Sequence, residues 1–303
     1  MIEEPPAPED PSQATARRLN FLARTLLRYT TSRRCPYCEC SKTQLSGRMN
    51  YVVQLRQCPV CGLRFRWPTE TTGFLDGFYQ KRYKEGGFAT DLPDKQLLAE
   101  FIRAGFVGSP RDISASIGVL KRILPSGRIL DYGCNWGYGV YQLNRAGYDA
   151  IGFEISRPRA GQGRRELHVE IIDSLSALDS LADASFDGIY ASHVLEHLQS
   201  PKEAFAFFAR VLKPGGVAMV LVPNCGGKDA RELGTRWGPM INEKHTLALD
   251  GEFFLKNMPR FGFRIHVLSD PYEEAKINAS LIHGTDLPLD GNELMVLARK
   301  VSL

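Results

Sequence analysis

Cysteine, glycine, acidic and histidine residues with chemically suggestive spacing fall into separate clusters along this 303-residue chain. Cys35-Pro-Tyr-Cys38 and Cys58-Pro-Val-Cys61-Gly62 form two C-x-x-C knuckles with nineteen residues between them. Four thiolates at this spacing predict a closed tetrahedral zinc site, structural rather than catalytic because no coordination position stays open. A thioredoxin-like redox pair normally occurs once, at a strand-to-helix turn. Here two copies lie among the strand-like segments YVVQL and LRFRW, which favours metal. Cys40 is surplus, either a bystander or a replacement ligand in a shifted site, and the paired arrangement favours the bystander. Cys134 and Cys225 read as packing residues.

The segment Asp131-Tyr-Gly133-Cys134-Asn135-Trp-Gly137-Tyr-Gly139 follows the apolar strand RILDY and opens a helix. Its glycines let the backbone turn sharply and approach a ligand closely. The spacing is not the G-x-G-x-x-G of dinucleotide enzymes, which weakens a nicotinamide reading. Glu154 ends the second strand, seventeen residues after Gly137. A carboxylate there accepts hydrogen bonds from both hydroxyls of an adenosine ribose; the alternative is an exposed strand-end acid.

Three of the six histidines stand out. His193 and His197 flank Glu196 just beyond the fourth strand, the edge where open α/β sheets bind ligands, although the same residues can simply order a loop. His245 follows strand five and precedes a helix that Asp250 is placed to cap. It is a candidate to orient or deprotonate a sugar hydroxyl with Glu243 as partner, or a structural loop anchor. Asn224, Arg236 and Trp237, on the same loop, are lesser candidates.

The elements that must position these residues alternate. RILDY is followed by a helix to Ala146, DAIGFEI by a helix near Pro158–Leu167, then VEII, GIYAS, a helix over Lys202–Leu212 and the strand VAMVLVP. Strands alternating with helices imply right-handed crossovers. The fold class expected is α/β, a doubly wound Rossmann-like sheet with a small N-terminal zinc ribbon. Residues 1–14 read as a disordered tail rich in proline and acids, and 15–68 as a basic amphipathic helix (Thr15–Tyr29) and the ribbon. Residues 69–110 read as a helical linker or lid carrying Phe78, Tyr79, Tyr83 and a Gly86-Gly87 break, and 111–303 as the α/β domain, entered through a helix around Asp112–Ile123. No run approaches the roughly 20 apolar residues of a membrane span, and the start is unlike a signal peptide, so a cytoplasmic protein is expected.

The net charge of +4 hides an asymmetry: Arg17–Arg66 holds eleven basic residues against Glu39 alone, while the residues after 66 sum to −2. Such a cationic front can follow phosphates, whether of RNA, a nucleotide sugar or a lipid-linked glycan met at a membrane surface. No RNA-binding signature accompanies it.

Asp131 to Gly137 resembles the first motif of the class I S-adenosylmethionine-dependent methyltransferases, and Glu154 their ribose-binding acid. Phe186 to Leu198, FDGIYASHVLEHL, resembles the family's fourth-strand motif, and Leu212-Lys-Pro-Gly-Gly216 the turn before strand five. The resemblance covers roughly residues 110–270. It implies S-adenosylmethionine as cofactor, held around Asp131, Gly133, Cys134, Asn135, Gly137, Glu154 and Ser192, with Asp173 near the adenine. A cysteine ribbon, an aromatic linker and then this domain resembles bacterial sugar methyltransferases of polysaccharide and antibiotic pathways, the deoxysugar C-methyltransferases among them. CPVCGLRFRWPTETTGFLDGFYQKRY matches their ribbon-to-linker junction, which implies that Tyr79 and Tyr83 close over the active site. In that group a Glu-His pair with a nearby tyrosine supplies the base; this chain has Glu243-Lys244-His245 without the tyrosine. The expectation is methyl transfer to a sugar, nucleotide sugar or glycan. Methylation of rRNA or tRNA, and a regulator that binds S-adenosylmethionine without catalysis, are the alternatives.

Overall fold

A computed structural model describes residues 11–82, 91–272, 277, 284–285 and 288–301. The first helix, α1 (Pro11–Leu27), begins at Pro11 rather than Thr15; residues 1–10 of the expected tail lie outside the described residues, as do Tyr83 and the Gly86-Gly87 break.

The cysteine knuckles frame three antiparallel strands, β1 (Gln44–Met49), β2 (Val53–Gln57) and β3 (Arg64–Trp67). The linker holds α2 (Thr72–Gly77), a π-helical turn at Phe78–Arg82 and α3 (Lys95–Arg103), whose N-cap Asp94 accepts from Leu97 N.

The α/β unit then runs α4 (Ser114–Ile123), β4 (Arg128–Tyr132), α5 (Tyr138–Arg145), β5 (Asp149–Phe153), α6 (Arg157–Glu166), β6 (Ile171–Ile172), α7 (Leu175–Asp179), β7 (Phe186–Ser192), α8 (Pro201–Val211) and β8 (Leu212–Pro223). It closes with α9 (Lys228–Leu233), β9 (Leu247–Ala248), α10 (Gly251–Asn257), β10 (Phe263–Ser269), β11 (Gly284–Thr285) and β12 (Glu293–Lys300). The LKPGG segment, expected as a turn, is taken into the start of β8, with a register shift against β7 between Phe186 and Gly188.

The main sheet has the order β11-β10-β12-β8-β7-β4-β5-β6. Strands β6, β5, β4, β7 and β8 are mutually parallel, and β12 inserts antiparallel between β8 and β10. Buried on both faces, the central strands are near-continuous apolar runs, as in Val217–Val222. Helices α4, α5 and α6 pack one face through Leu120, Val140 and Ala160, and α8 and α10 the other through Phe205, Phe208 and Phe254. This is the doubly wound Rossmann-like arrangement. The chain leaves β4 in one direction through β5 and β6 and in the other through β7 and β8, so the switch point lies between the carboxyl ends of β4 and β7.

The ribbon is not a separate bead. Strand β9 adds antiparallel to β3, pairing Phe65 with Leu247 and Arg64 with Ala248. Tyr37, Leu63, Phe65 and Trp67 share one core with Phe205 and Phe253, so residue 68 is no packing boundary. Because β9 starts two residues after His245, the ribbon holds the loop on which that histidine sits. No helix among the described residues is long and apolar enough to cross a membrane.

Candidate active site

The loop leaving β4 turns through left-handed conformations at Gly133 (φ +85°), Asn135 (φ +54°) and Gly137 (φ +80°). A side chain at Gly133 is excluded twice over, because its Cβ would also lie 2.2 Å from Val194 Cγ2. The loop therefore packs directly on the residue that follows His193. Asp131 tucks beneath the start of α5, where it accepts from the Val140 amide. Desolvation pushes its carboxyl up to about 8, with the neighbouring Glu154 adding to the shift.

Glu154, 6% exposed, accepts from Asn135 N at 3.0 Å and from Ser156 N at 2.7 Å, and burial raises its pKa. Two buried carboxyl groups beside a glycine loop, which can ionise only at the cost of burial, are a poor match for a pyrophosphate. They suit a cation that also offers hydroxyl donors, which is the chemistry of S-adenosylmethionine with its sulfonium, ammonium and ribose diol.

The other residues expected around the cofactor divide. Ser192 and Asn135 line one cleft of about 550 Å³, and Tyr79 and Glu154 line a second of about 430 Å³; Gly133 and His193 border both. The Cys134 thiol faces inward, since a Cβ on Gly152 would meet its Sγ at 2.4 Å, so only its backbone is presented to the loop. Asp173 pairs with Arg164 at 2.7 Å and lines neither of these clefts.

The sequence reading missed two residues that tie the loop down. Gln80 Nε2 donates to Ile155 O at 2.6 Å and its Oε1 accepts from Arg157 N at 3.3 Å, docking the linker beside Glu154. Arg159, 3% exposed, donates to Asn135 Oδ1 at 2.8 Å and pairs with Asp91. Nothing in their local sequence distinguishes either from an ordinary surface polar residue.

The histidines converge. A short 3₁₀ turn at Leu195–His197 places Glu196 and His197 under the loop carrying His245, and Thr246 N donates to Glu196 O at 2.9 Å. One donor atom each from Glu196, His197 and His245 lies within 4.8 Å of the others. The His197 and His245 rings meet edge to face, with centroids 4.8 Å apart. Burial lowers the His197 pKa to about 4 against the opposing pull of Glu196, so the ring is neutral at pH ~7. The half-exposed His193 ring contacts Glu293 at 2.7 Å and Glu196 at 3.4 Å. Burial works against its charge, but these carboxylates prevail and raise it to about 10. His193 is thus an imidazolium and no base.

Glu243 is not the partner of His245. Its carboxylate accepts from Arg24 at 2.6 Å, and the acid beside His245 is Glu196. Nothing in the sequence around Glu243 points to Arg24, 219 positions away. Two of the lesser loop candidates are structural: Asn224 Nδ2 donates to Leu289 O and Gly291 O, and Trp237 is buried against the ribbon.

In the ribbon, Cys35 Sγ lies 3.4 Å from Cys61 Sγ and Cys38 Sγ 3.4 Å from Cys58 Sγ, with all four sulfurs within 4.8 Å of one another. Four thiolates at ~2.3 Å from one tetrahedral ion stand about that far apart, so the donor set fits zinc. Cys40 stands outside this group. Part of the cationic front, Arg24 included, is engaged internally, while Arg33, Arg34, Lys42 and Arg48 stay exposed. Arg28 pairs with Glu70, Arg64 with Asp250 at 2.7 Å, Arg56 donates to Thr43 and Gln54, and Arg66 is 1% exposed with its guanidinium over Phe21.

Comparison with known proteins gives a family match, "Methyltransferase domain", over residues 110–268, just over half of the chain. The O-methyltransferase cnsE of Penicillium expansum is 29% identical over 234 residues, 73% of this chain and 77% of that protein. The ubiquinone biosynthesis O-methyltransferase of Alkalilimnicola ehrlichii is 33% identical over 95 residues, 29% of this chain and 38% of that protein. Among solved structures, a Thermotoga maritima S-adenosylmethionine-dependent methyltransferase superposes with a TM-score of 0.49 at 20% identity, covering 68% of this chain and 97% of that one.

Proposed function

The chain belongs to the methyltransferase-domain family and is an S-adenosylmethionine-dependent methyltransferase, and from that premise we propose that it methylates a hydroxyl oxygen of a small polar molecule of the sugar class. When bound, S-adenosylmethionine supplies a methyl group on a sulfonium whose leaving group is a neutral thioether. The protein's own tasks are to hold that cofactor, align the acceptor in line with the methyl, and ease the loss of the acceptor's proton.

In this reading Glu154 receives the ribose hydroxyls, Asp131 faces the positive end, and Gly133 and Asn135 bring the backbone close. Tyr79 covers the cleft and excludes water, with Gln80 pinning the linker beside it. The observation that carries the acceptor side is the Glu196–His197–His245 constellation, where imidazole nitrogens and a buried carboxylate converge at the border of the cofactor loop. An acceptor hydroxyl entering beside Lys244 is polarised there and its oxygen freed for attack. Oxygen rather than carbon is favoured because cnsE is named an O-methyltransferase and the tyrosine of the sugar C-methyltransferase pattern is missing.

A sugar or similar polyol suits a wall that mixes the ring of Tyr79 with Gln199, Glu203 and Lys244. We further propose that zinc fills the four-cysteine site as a structural ion and that the enzyme works in the cytoplasm. RNA methylation is disfavoured because Arg24, Arg28, Arg56 and Arg64 are engaged internally and Arg66 is buried.

The test is transfer of labelled methyl from S-adenosylmethionine across sugars, nucleotide sugars, phenols and RNA, with Glu196→Gln alongside. Label should enter a hydroxyl of a small molecule, and the variant should lose turnover while still binding cofactor. Label in RNA, or full turnover in the variant, would sink the proposal.

A further inference from the structure

We propose that Glu196, His197 and His245 form a second metal site, a two-histidine, one-carboxylate set that takes a divalent first-row transition ion beside the acceptor cleft, whose wall His197 and Lys244 line; this rests on the reading of that cleft given above.

The imidazoles are oriented for it. His197 Nδ1 lies 3.3 Å from the Lys244 carbonyl and His245 Nδ1 2.8 Å from the Pro239 carbonyl. A carbonyl only accepts, so each Nδ1 carries a hydrogen, which leaves Nε2 as the atom of each ring able to bind an ion. Tying Nδ1–H to a backbone carbonyl is how metal-bound histidines are held in tautomer and direction. His197 Nε2 then stands 3.8 Å from Glu196 Oε1, and all three donors lie within 4.8 Å of one another. A small inward movement brings them to the ~2.0–2.2 Å bonds of a common ion.

Glu196 supplies a second, independent observation. It is 2% exposed, and neither of its carboxylate oxygens has a hydrogen-bond partner among the described residues. Its contact with the His193 ring is a long one, 3.4 Å, and that ring makes its shorter contact, 2.7 Å, with Glu293, so Glu196 is only weakly compensated. Burying a carboxylate without hydrogen bonds is costly, and buried charges are ordinarily paired or bound to metal. A cation held between Glu196 and the two Nε2 atoms relieves that cost.

The ligand set decides the class of ion. Two imidazoles and one carboxylate suit zinc, cobalt, manganese or iron rather than the all-oxygen shells of magnesium and calcium. Three protein ligands leave coordination positions open, unlike the closed four-thiolate ribbon. An ion there would lower the pKa of an acceptor hydroxyl reaching it past His197, the proton leaving to solvent water. The oxygen then forms the new bond to the methyl carbon while the carbon–sulfur bond breaks and its electron pair returns to sulfur.

The test uses the full chain stripped with a mild chelator that spares the four-cysteine zinc. Metal content and titration with Co²⁺ are followed by mass spectrometry, calorimetry and visible absorption. One zinc per chain should persist, and one further equivalent of Co²⁺ should bind with the spectrum of nitrogen and oxygen ligands. Glu196→Gln and His245→Ala should each weaken that equivalent by more than ~100-fold, beyond the loss typical of an outer-shell change, while zinc content and cofactor binding stay as in the parent. No second equivalent in the folded parent, or undiminished binding in both variants, overturns the metal site. Methyl transfer to a hydroxyl that persists at full rate in chelator removes the ion but leaves the O-methylation reading standing. A second equivalent without any hydroxyl methylated does the reverse.

Discussion

Replacing Gly133 by alanine tests whether the cofactor loop and the acceptor turn are one packed unit. The backbone at Gly133 has φ +85°, and an added Cβ would lie 2.2 Å from Val194 Cγ2, 3.0 Å from Cγ1 and 3.2 Å from Cβ. Holding alanine in the left-handed region costs ~1–2 kcal/mol. Displacing Val194 by more than an ångström is overpacking of the kind that costs ~1–3 kcal/mol. Alanine also stiffens the unfolded chain, which returns ~0.4–1 kcal/mol. The expected net loss is therefore about 1–4.5 kcal/mol, survivable for a domain of ordinary stability at ~5–15 kcal/mol. Urea unfolding reads this loss as a lower midpoint at unchanged slope. Calorimetry should show S-adenosylmethionine binding at least ~10-fold more weakly, equivalent to ~1.4 kcal/mol. Adding Val194→Ala removes both clashing Cγ atoms and should recover the steric part while the φ cost stays. A Gly133→Ala protein within ~0.5 kcal/mol of the parent and with unchanged cofactor affinity would refute the reasoning, since that is the range of an ordinary surface substitution.

Asp131 predicts a pH dependence. Its folded pKa of about 8 lies far above the ~3.9 of an unfolded aspartate, so the folded chain holds a proton that the unfolded chain gives up. Stability from this residue is lost as pH rises from ~4 to ~8 and is level above that. A cationic cofactor favours the ionised form, so its affinity should rise between pH ~6 and ~9 with proton release, visible by calorimetry in buffers of different ionisation heat; a flat profile contradicts this. Gln80→Ala removes two hydrogen bonds holding the linker beside Glu154, worth about 1–2 kcal/mol, so KM for S-adenosylmethionine should rise roughly 5–30-fold with kcat less affected. Cys61→Ser should abolish the ribbon's zinc and lower the thermal midpoint, because Asn257 Nδ2 donates to Cys61 O and the ribbon shares a core with α10; metal analysis showing one zinc retained would count against the four-thiolate assignment.

The parts legible in the sequence are those fixed by local patterns. Alternating apolar strands and helices from Arg128 to Pro223 specify the parallel sheet, and the glycines after RILDY mark the ligand-binding turn because only residues tolerant of positive φ fit there. The two cysteine pairs likewise foretell the convergence of four thiols. What escaped depends on contacts between distant segments. Glu243 looked like the partner of His245 because it is two residues away, yet Arg24 on α1 claims it, and Glu196, from the far side of the sheet edge, takes its place. Strand β9 was invisible because two residues carry no periodicity, and its pairing with β3 makes the ribbon part of the acceptor site. The +10 front suggested a phosphate-binding surface, but charge counted along a chain does not show that an arginine such as Arg66 lies buried over Phe21.

The central claim is methyl transfer to a hydroxyl oxygen at the Glu196–His197–His245 constellation. It is tested most directly by incubating the protein with S-adenosylmethionine carrying a ¹³C methyl and a panel of sugars and nucleotide sugars, then reading the product by carbon NMR. The account predicts a new signal in the methoxy range from one acceptor, lost in His245→Ala although calorimetry still shows cofactor binding. A methyl signal on carbon or nitrogen, or a methoxy signal of undiminished intensity in the variant, would contradict it.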